Sequence, residues 1–396
     1  LTRSVVYSPY DYAVHADPYP SYARLRAEAP LYHNEDLGFW ALSRHADVVD
    51  AFRDSSRYSS GMGVSLDPAA TGPDAHRTMS FLALDPPRHD RMRALVSRGF
   101  TPRRVAEMED HIRALTREHL DAALDRRTFD FVADFAGLLP MDVISEMIGV
   151  PKADRAEVRR LADLLVHRDE GVHDVPPAGM DAALTLAGYY SDMVTERRAR
   201  PTDDLTSALL EAEIEGDRLS DGEVIGFLFL MVVAGNETTA KLLAHAWFWG
   251  SQFPDEGAKP FADAGRVPAW IEETLRYDTS TQVLARTATE DVDLHGGRIP
   301  AGGRVLLLVG SANRDGAVFP EPDRYALDRD TTQAVSFGFG RHFCLGAALA
   351  RLEARVALSE LVTRVARYDI DPDGVERVHS VNVRGFKRLP TTVEVR

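Results

Sequence analysis

The chain has 396 residues, 44% of them hydrophobic, enough for a sizeable core and ordinary for a folded globular protein. Lysine and arginine number 46 against 61 aspartates and glutamates; the net charge of −15 argues against general nucleic-acid binding, which needs a basic footprint. A single cysteine excludes an internal disulfide framework and fits a reducing cytoplasm. The polar stretch Leu1–Asp17 has no apolar signal or anchor segment. The longest near-continuous apolar run, Val224–Gly235, falls short of the ~20 residues of a membrane span and reads as a buried core helix. A soluble, cytoplasmic protein with no membrane or nucleic-acid partner is expected.

In chain order, Pro18–Ala29 reads as a short helix, and Pro30–Ser43 alternates around Leu37-Gly38-Phe39-Trp40 like a hairpin. His45–Arg53 is a second short helix. Ser59–Asp85 is rich in Gly, Pro, Asp and Ser without a sustained period, and so long a loop is usually functional or disordered. Helices are expected over Pro86–Arg98, from Pro102 (capped by Thr101) to about Leu124, over Phe131–Ile148, Lys152–Val166 and Gly179–Arg200, and over Asp204–Ile214. Ser220 and Glu223 form a Ser-x-x-Glu capping box that opens the longest helix, which runs to Gln252 and ends before Pro254. Ala269–Tyr277 is helical. Val283–Ala288, Val292–Leu294 and Arg304–Val309 read as strands, with turns at His295-Gly296-Gly297 and Pro300-Ala301-Gly302-Gly303. Ala347–Val365 is again helical, with Leu349, Leu352, Val356 and Leu361 at helical spacing, and Arg367–Arg396 is strand-like. There is no βαβ alternation and no internal repeat. The expected fold class is mainly α with small β-sheets (α+β), in one domain over residues 1–396.

The cysteine lies in Phe337-Gly338-Phe339-Gly340-Arg341-His342-Phe343-Cys344-Leu345-Gly346. A lone cysteine is by default a small buried hydrophobe. Here the flanking glycines suit a tight loop and close approach to a flat ligand. The following helix sets Cys344 just ahead of an N-terminus, which should lower its pKa and favour the metal-binding thiolate. Ala234-Gly235-Asn236-Glu237-Thr238 falls mid-helix behind the apolar run Phe227–Val233. Glycine there costs about 1 kcal/mol, Thr238 can bond the carbonyl of Ala234, and a buried carboxylate needs a reason. Glu273 and Arg276 at i, i+3 are by themselves no more than a surface pair; His89 and Arg93 at i, i+4 share a helix face. From Arg88 to Arg104 six arginines face one acid, Asp90, which is either a charged surface or a steering patch for an acidic partner.

The cysteine loop resembles the haem-binding loop of the cytochrome P450 family, Phe-x-x-Gly-x-x-x-Cys-x-Gly, at Phe337, Gly340, Cys344 and Gly346; in that family a cysteine thiolate holds haem iron. The resemblance extends over essentially the whole chain. It implies a P450-like fold with a long central helix over haem b, Cys344 as the axial ligand, and haem contacts from Ala234, Gly235, Phe337, Gly338 and Gly346. His89, Arg93, Arg286 and His342 match the propionate partners. Glu237 would carry protons, and Thr238 would hold water beside dioxygen. Glu273, Arg276 and Arg324, the last in Phe319–Tyr325, match a structural network. Arg98, Arg103, Arg104 and Arg341 would face a ferredoxin- or flavodoxin-type donor.

The resemblance also implies a substrate pocket walled by Leu82, Val233, Thr238, Val283, Leu284 and Val383, from the segments Gly61–Leu84, Val166–Met180, Val232–Thr238, Gln282–Leu284 and Ser380–Phe386. Many bacterial relatives carry Ser-Pro-Val where this chain has Thr279-Ser280-Thr281, so a more polar pocket is expected; Pro260, inside an expected helix, is a second departure. The implied activity is insertion of one oxygen atom from O2 into a medium-sized, mostly apolar molecule such as a macrolide, terpenoid, steroid or aromatic product. NAD(P)H electrons would arrive through separate redox proteins. Two alternatives are a peroxide-driven peroxygenase, against which Glu237-Thr238 argues, and a haem-binding sensor or carrier without turnover.

Overall fold

The computed structural model describes residues 5–214 and 216–396; the first four residues of the polar N-terminal stretch lie outside the described residues. The architecture is built on one helix, Asp221–Gln252, of 32 residues. Both halves of the capping box are made: the Ser220 hydroxyl accepts from the Glu223 N–H at 3.3 Å, and the Glu223 carboxylate accepts from the Ser220 N–H at 2.9 Å. Phe227, Leu228, Val232, Leu243 and Trp247 on this helix are fully buried. Trp247 stacks between Phe131 (4.9 Å between ring centres) and Tyr368 (3.6 Å). By length and hydropathy the helix could cross a bilayer, but 72% of its most apolar stretch is buried inside the protein, as a core helix should be.

Helices Leu139–Ile148, Arg155–Val166, Pro177–Ala199 and Ala347–Arg364 pack around it. Two expected helices are broken. Over Phe131–Ile148 a π-helical turn, Val132–Ala136, precedes Leu139–Ile148; the Gly137 N–H bonds the Val132 carbonyl five residues back, and Pro140 has no N–H to continue a regular ladder. The helix opened by Pro102 stops at Glu107, and a new one runs over Glu109–Arg126. Pro254 begins a further helix, Pro254–Ala262, which contains Pro260.

A five-stranded sheet has the order Leu31–Asn34, Phe39–Leu42, Arg304–Leu308, Val283–Ala288, Tyr58–Ser59. Only the pairing of Arg304–Leu308 with Phe39–Leu42 is parallel, with Leu306 opposite Ala41. A three-stranded sheet joins Val365–Ile370, Pro390–Val395 and Thr128–Asp130. The strand Gly297–Ile299, hidden in a glycine-rich turn of the sequence, pairs with Val292–Leu294.

Candidate active site

The cysteine loop is shaped by its glycines. Gly338 and Gly340 have φ of 71° and 68°, and a Cβ on Gly340 would sit 3.1 Å from the Phe52 carbonyl oxygen. The Cys344 N–H closes the loop on the Phe337 carbonyl at 2.9 Å. Gly346 then caps the helix Ala347–Arg364. Cys344 is exposed, but to an internal cavity rather than to bulk solvent. Its thiol pKa contradicts the sequence expectation of a lowered value. Burial pushes it up and outweighs the Gly346 N–H, Arg93 and Arg351, which favour the thiolate.

Between the cysteine loop and the central helix lies a cavity of about 220 Å³. Its walls are mostly apolar: Phe81, Leu82, Phe100, Phe227, Leu230, Met231, Leu242 and Leu284 among them. Of the expected pocket residues, Leu82, Thr238 and Leu284 line it, and Val233, Val283 and Val383 do not. Strand alternation explains Val283, which points with Ala285 into a cluster with Tyr7, Tyr19 and Phe39 while Leu284 and Arg286 face the cavity. Val233 lies off the helical stripe Met231, Ala234, Gly235, Thr238, Leu242. Val383 bridges Thr281 and lines a separate small recess with Val381 and Arg384. No residue of 166–180 or 380–386 reaches the cavity wall, whereas Thr279, Ser280 and Thr281 all do.

Beside this cavity lie buried donor groups without acceptors, although His89 Nδ1 bonds the Asp90 carboxylate at 3.0 Å. His89 Nε2, Arg93 Nη1 and His342 Nδ1 are buried without a hydrogen-bond partner. His89 and His342 lie 4.3 Å apart between ring centres, and Arg93 donates to the Phe343 carbonyl at 2.7 Å. Arg286 lines the cavity, is 3% exposed, and forms no ion pair among the described residues; burial lowers it to about 10. Arg304, which the sequence reading passed over, is likewise lowered to about 10 by burial and carries an unpartnered Nε. Unpaired buried donors and cations are costly, and a ligand bearing two carboxylates would satisfy them. Ala234, Gly235, Phe337, Gly338 and Gly346 also line the cavity, and a Cβ on Gly346 would meet nothing within 4 Å. The residues present therefore fit haem.

On the central helix, the Thr238 hydroxyl donates to the Ala234 carbonyl at 2.7 Å, and the Thr238 carbonyl accepts from the Ser280 hydroxyl at 2.8 Å. Glu237 is 2% exposed and lies outside the cavity wall. Its Oε2 is 2.9 Å from Lys241 Nζ, an ion contact whose angles do not make a hydrogen bond. Lys241 was legible as an i+4 partner. Glu353 was not: it is 1% exposed, lines the cavity from the helix after Cys344, has an unpartnered Oε2, and is raised to about 8 by burial.

Glu273 and Arg276 form a buried bidentate pair at 2.7 and 2.8 Å, and Arg276 also donates to the carbonyls of Asn313, Pro322 and Arg324. The third side chain is Arg329, not Arg324. Arg329 Nε approaches Glu273 Oε1 at 3.4 Å and its Nη2 donates to the carbonyls of Glu321 and Arg324. Arg324 turns its guanidinium outward to Glu321 and offers only its carbonyl. The basic run is also less charged than its sequence. Arg91 pairs with Asp217 and Glu223, Arg103 with Glu107, Arg341 with Asp90, and Arg93 faces inward. Arg88, Arg98 and Arg104 remain exposed without ion pairs among the described residues.

The profile of the cytochrome P450 family matches residues 266–385. The chain is 58% identical over 393 residues to cytochrome P450 123 of Mycobacterium tuberculosis, covering 99% of this chain and 98% of that protein. Among solved structures it is similar to cytochrome P450 CYP109Q5 from Chondromyces apiculatus (TM-score 0.89, 35% identity, 98% of each chain covered). It is also similar to CYP109E1 from Bacillus megaterium in complex with testosterone (TM-score 0.89, 31% identity, 96% of this chain and 99% of that one).

Proposed function

The chain belongs to the cytochrome P450 family and is a bacterial-type haem-thiolate monooxygenase that oxidises small to medium apolar substrates with O2, and we propose that its substrate is a medium-sized molecule of steroid, terpenoid or macrolide dimensions that it hydroxylates or epoxidises. The observation that carries this reading is the apolar cavity over Cys344, with buried donors beside it that two carboxylates would satisfy. The testosterone bound by the relative CYP109E1 supports that size. The balanced reaction is R–H + O2 + 2e⁻ + 2H⁺ → R–OH + H2O.

Haem, when bound, supplies the redox centre at which dioxygen is activated. In this reading Cys344 ligates its iron as the thiolate, a form that metal binding itself favours over the buried thiol. His89, Arg93, Arg286 and His342 hold its carboxylates. The apolar walls bind and orient the substrate and exclude water, while Glu237 supplies protons toward Thr238, whose hydroxyl rests on the Ala234 carbonyl. Electrons come from NAD(P)H through a separate ferredoxin or flavodoxin, steered by the exposed Arg88, Arg98 and Arg104. We place the protein in the cytoplasm, where its one thiol stays reduced. The test is the absorption spectrum of the reduced protein under carbon monoxide, for wild type and Cys344→Ala. A strongly red-shifted Soret band lost in the variant is expected. A histidine-type carbonyl spectrum in wild type would overturn the reading. Candidate substrates are then titrated for a spin-state shift.

A further inference from the structure

Ser280 is buried and lines the cavity, and its hydroxyl is committed to the central helix: Ser280 Oγ donates to the Thr238 carbonyl at 2.8 Å. Thr238 is therefore tied at two atoms. Its own hydroxyl donates to the Ala234 carbonyl at 2.7 Å, and its carbonyl is held from outside the helix. A carbonyl inside a helix already accepts from the N–H four residues on. A second donor tilts it off the axis and bends the turn that carries it. A proline at position 280, the residue of the Ser-Pro-Val relatives, has no hydroxyl and could not make this contact, so the tie is a property of this chain.

Ser280 is itself firmly anchored. Its carbonyl accepts from the Arg384 N–H at 2.7 Å, and Arg384 Nε donates to the Asp278 carboxylate at 2.8 Å. The same carboxylate accepts from the Trp249 indole N–H at 3.0 Å and from the Tyr19 hydroxyl at 2.7 Å. Asp278 and Arg384 are 1% and 6% exposed, so the pair is sealed in the protein and costly to break. Trp249 belongs to the central helix, about 16 Å beyond Thr238 along its axis. Residues 278–280 thus staple that helix at two points, one near its C-terminal end and one at the turn that meets the cavity.

We infer that Ser280 is a positioning residue for Thr238: its bond sets the tilt of the turn and with it the place of the Thr238 hydroxyl at the cavity wall. The inference rests on the reading of Thr238 as the group beside dioxygen. A threonine side chain turns about χ1 alone, and this one is already fixed on Ala234, so its hydroxyl follows the backbone of its own residue. Removing the Ser280 hydroxyl lets the Thr238 carbonyl return to the helical ladder. The Thr238 hydroxyl moves with it, and the polar contact it offers to a ligand in the cavity changes. One neutral hydrogen bond biases such a balance about fivefold.

Holoproteins of wild type, Ser280→Ala, Ser280→Thr, Ser280→Cys, Thr238→Ala and the variant carrying both Ser280→Ala and Thr238→Ala are compared with two probes that need no substrate. One is the infrared stretch of carbon monoxide on the reduced haem, which reads the polar groups around the gas. The other is the stopped-flow rate at which dissolved O2 reoxidises the reduced protein, one electron passing from the haem to each O2. With the Thr238 hydroxyl displaced, Ser280→Ala should shift or split the stretch and reoxidise about fivefold faster. Ser280→Thr should match wild type, and Ser280→Cys, a weaker donor, should fall between. Adding Ser280→Ala to Thr238→Ala should change neither reading further. An unchanged stretch and rate in Ser280→Ala overturns the positioning role even where its melting temperature falls, and so does a further change in the double variant. Thr238→Ala with the wild-type stretch and rate overturns the premise, and a wild type without the thiolate-type carbonyl spectrum overturns the enzyme reading itself.

Discussion

Replacing Arg329 and Arg324 separately should give different costs, although the two lie five residues apart and carry the same charge. Arg329→Ala removes an ion contact at 3.4 Å to a carboxylate that is 1% exposed, and three carbonyl hydrogen bonds, to Pro320, to Glu321 at 2.9 Å and to Arg324 at 3.0 Å. Glu273 keeps Arg276, so the loss is a partial breaking of a buried charge network, about 3 kcal/mol and at the low end of such cases. Arg324→Ala removes a 3.4 Å pair in which both side chains are more than half exposed, worth about 0–1 kcal/mol. With an unfolding entropy of about 2.1 cal/mol/K per residue over 396 residues, 3 kcal/mol lowers the melting temperature by about 4 °C. Scanning calorimetry of both variants as holoproteins decides. A larger shift for Arg324→Ala, or equal shifts, would refute the assignment of Arg329 as the third arm.

Arg168 ties its segment to the loop whose Val64, Phe81 and Leu82 line the cavity: it clamps Asp67 at 2.7 and 3.0 Å, with the pair 7% and 1% exposed, and the Tyr12 hydroxyl bonds its carbonyl. Arg168→Ala strands a buried carboxylate and should cost about 3–5 kcal/mol, and stopped-flow binding and release of imidazole at the iron should both accelerate; unchanged rates would count against a latch. His245 is fully buried beside Asp278 and is lowered to about 3, burial outweighing the favourable aspartate. The unfolded chain therefore binds a proton below pH ~6.5 that the native chain refuses until about 3, so stability falls as pH drops through that window by up to about 1.4 kcal/mol per unit. His245→Gln should flatten the stability–pH slope by that amount between pH 6 and 4; identical slopes would show the histidine is not buried neutral.

What could be read from the sequence was whatever depends on near neighbours along the chain. The capping box at Ser220, the Thr238–Ala234 bond and the glycine-shaped turn before Cys344 are short-range geometries, and their residues stand where spacing puts them. What failed depends on three-dimensional phase. Val283 and Leu284 are equally apolar, and only the pairing of their strand with Arg304–Leu308 decides which one meets the cavity. Arg324 and Arg329 are both candidates for Glu273, and the path of the intervening loop selects the second. The thiol of Cys344 was expected low from its helix end alone, but desolvation, invisible in a linear sequence, dominates.

The central helix must be a packed strut and a working surface at once, and its middle turn shows how both are met. Gly235 is small because of packing: a Cβ there would sit 2.9 Å from Ile144 Cδ1, so its size lets the neighbouring helix come close. On the cavity side, Ala234 and Thr238 carbonyls each accept a side-chain hydroxyl, from Thr238 and Ser280. Such bonds compete with the helical ladder and loosen it locally at small cost. The Ser280 bond comes from the segment where this chain replaces Ser-Pro-Val with Thr-Ser-Thr. The departure thus adds polarity to one wall and also fixes the carbonyl of the threonine that faces the reacting centre in the proposed reaction. Rigidity across the buried face and adjustability over one turn of the open face come from the same five residues, with Phe227, Leu228 and Val232 below them and Leu243 and Trp247 above holding the strut in register.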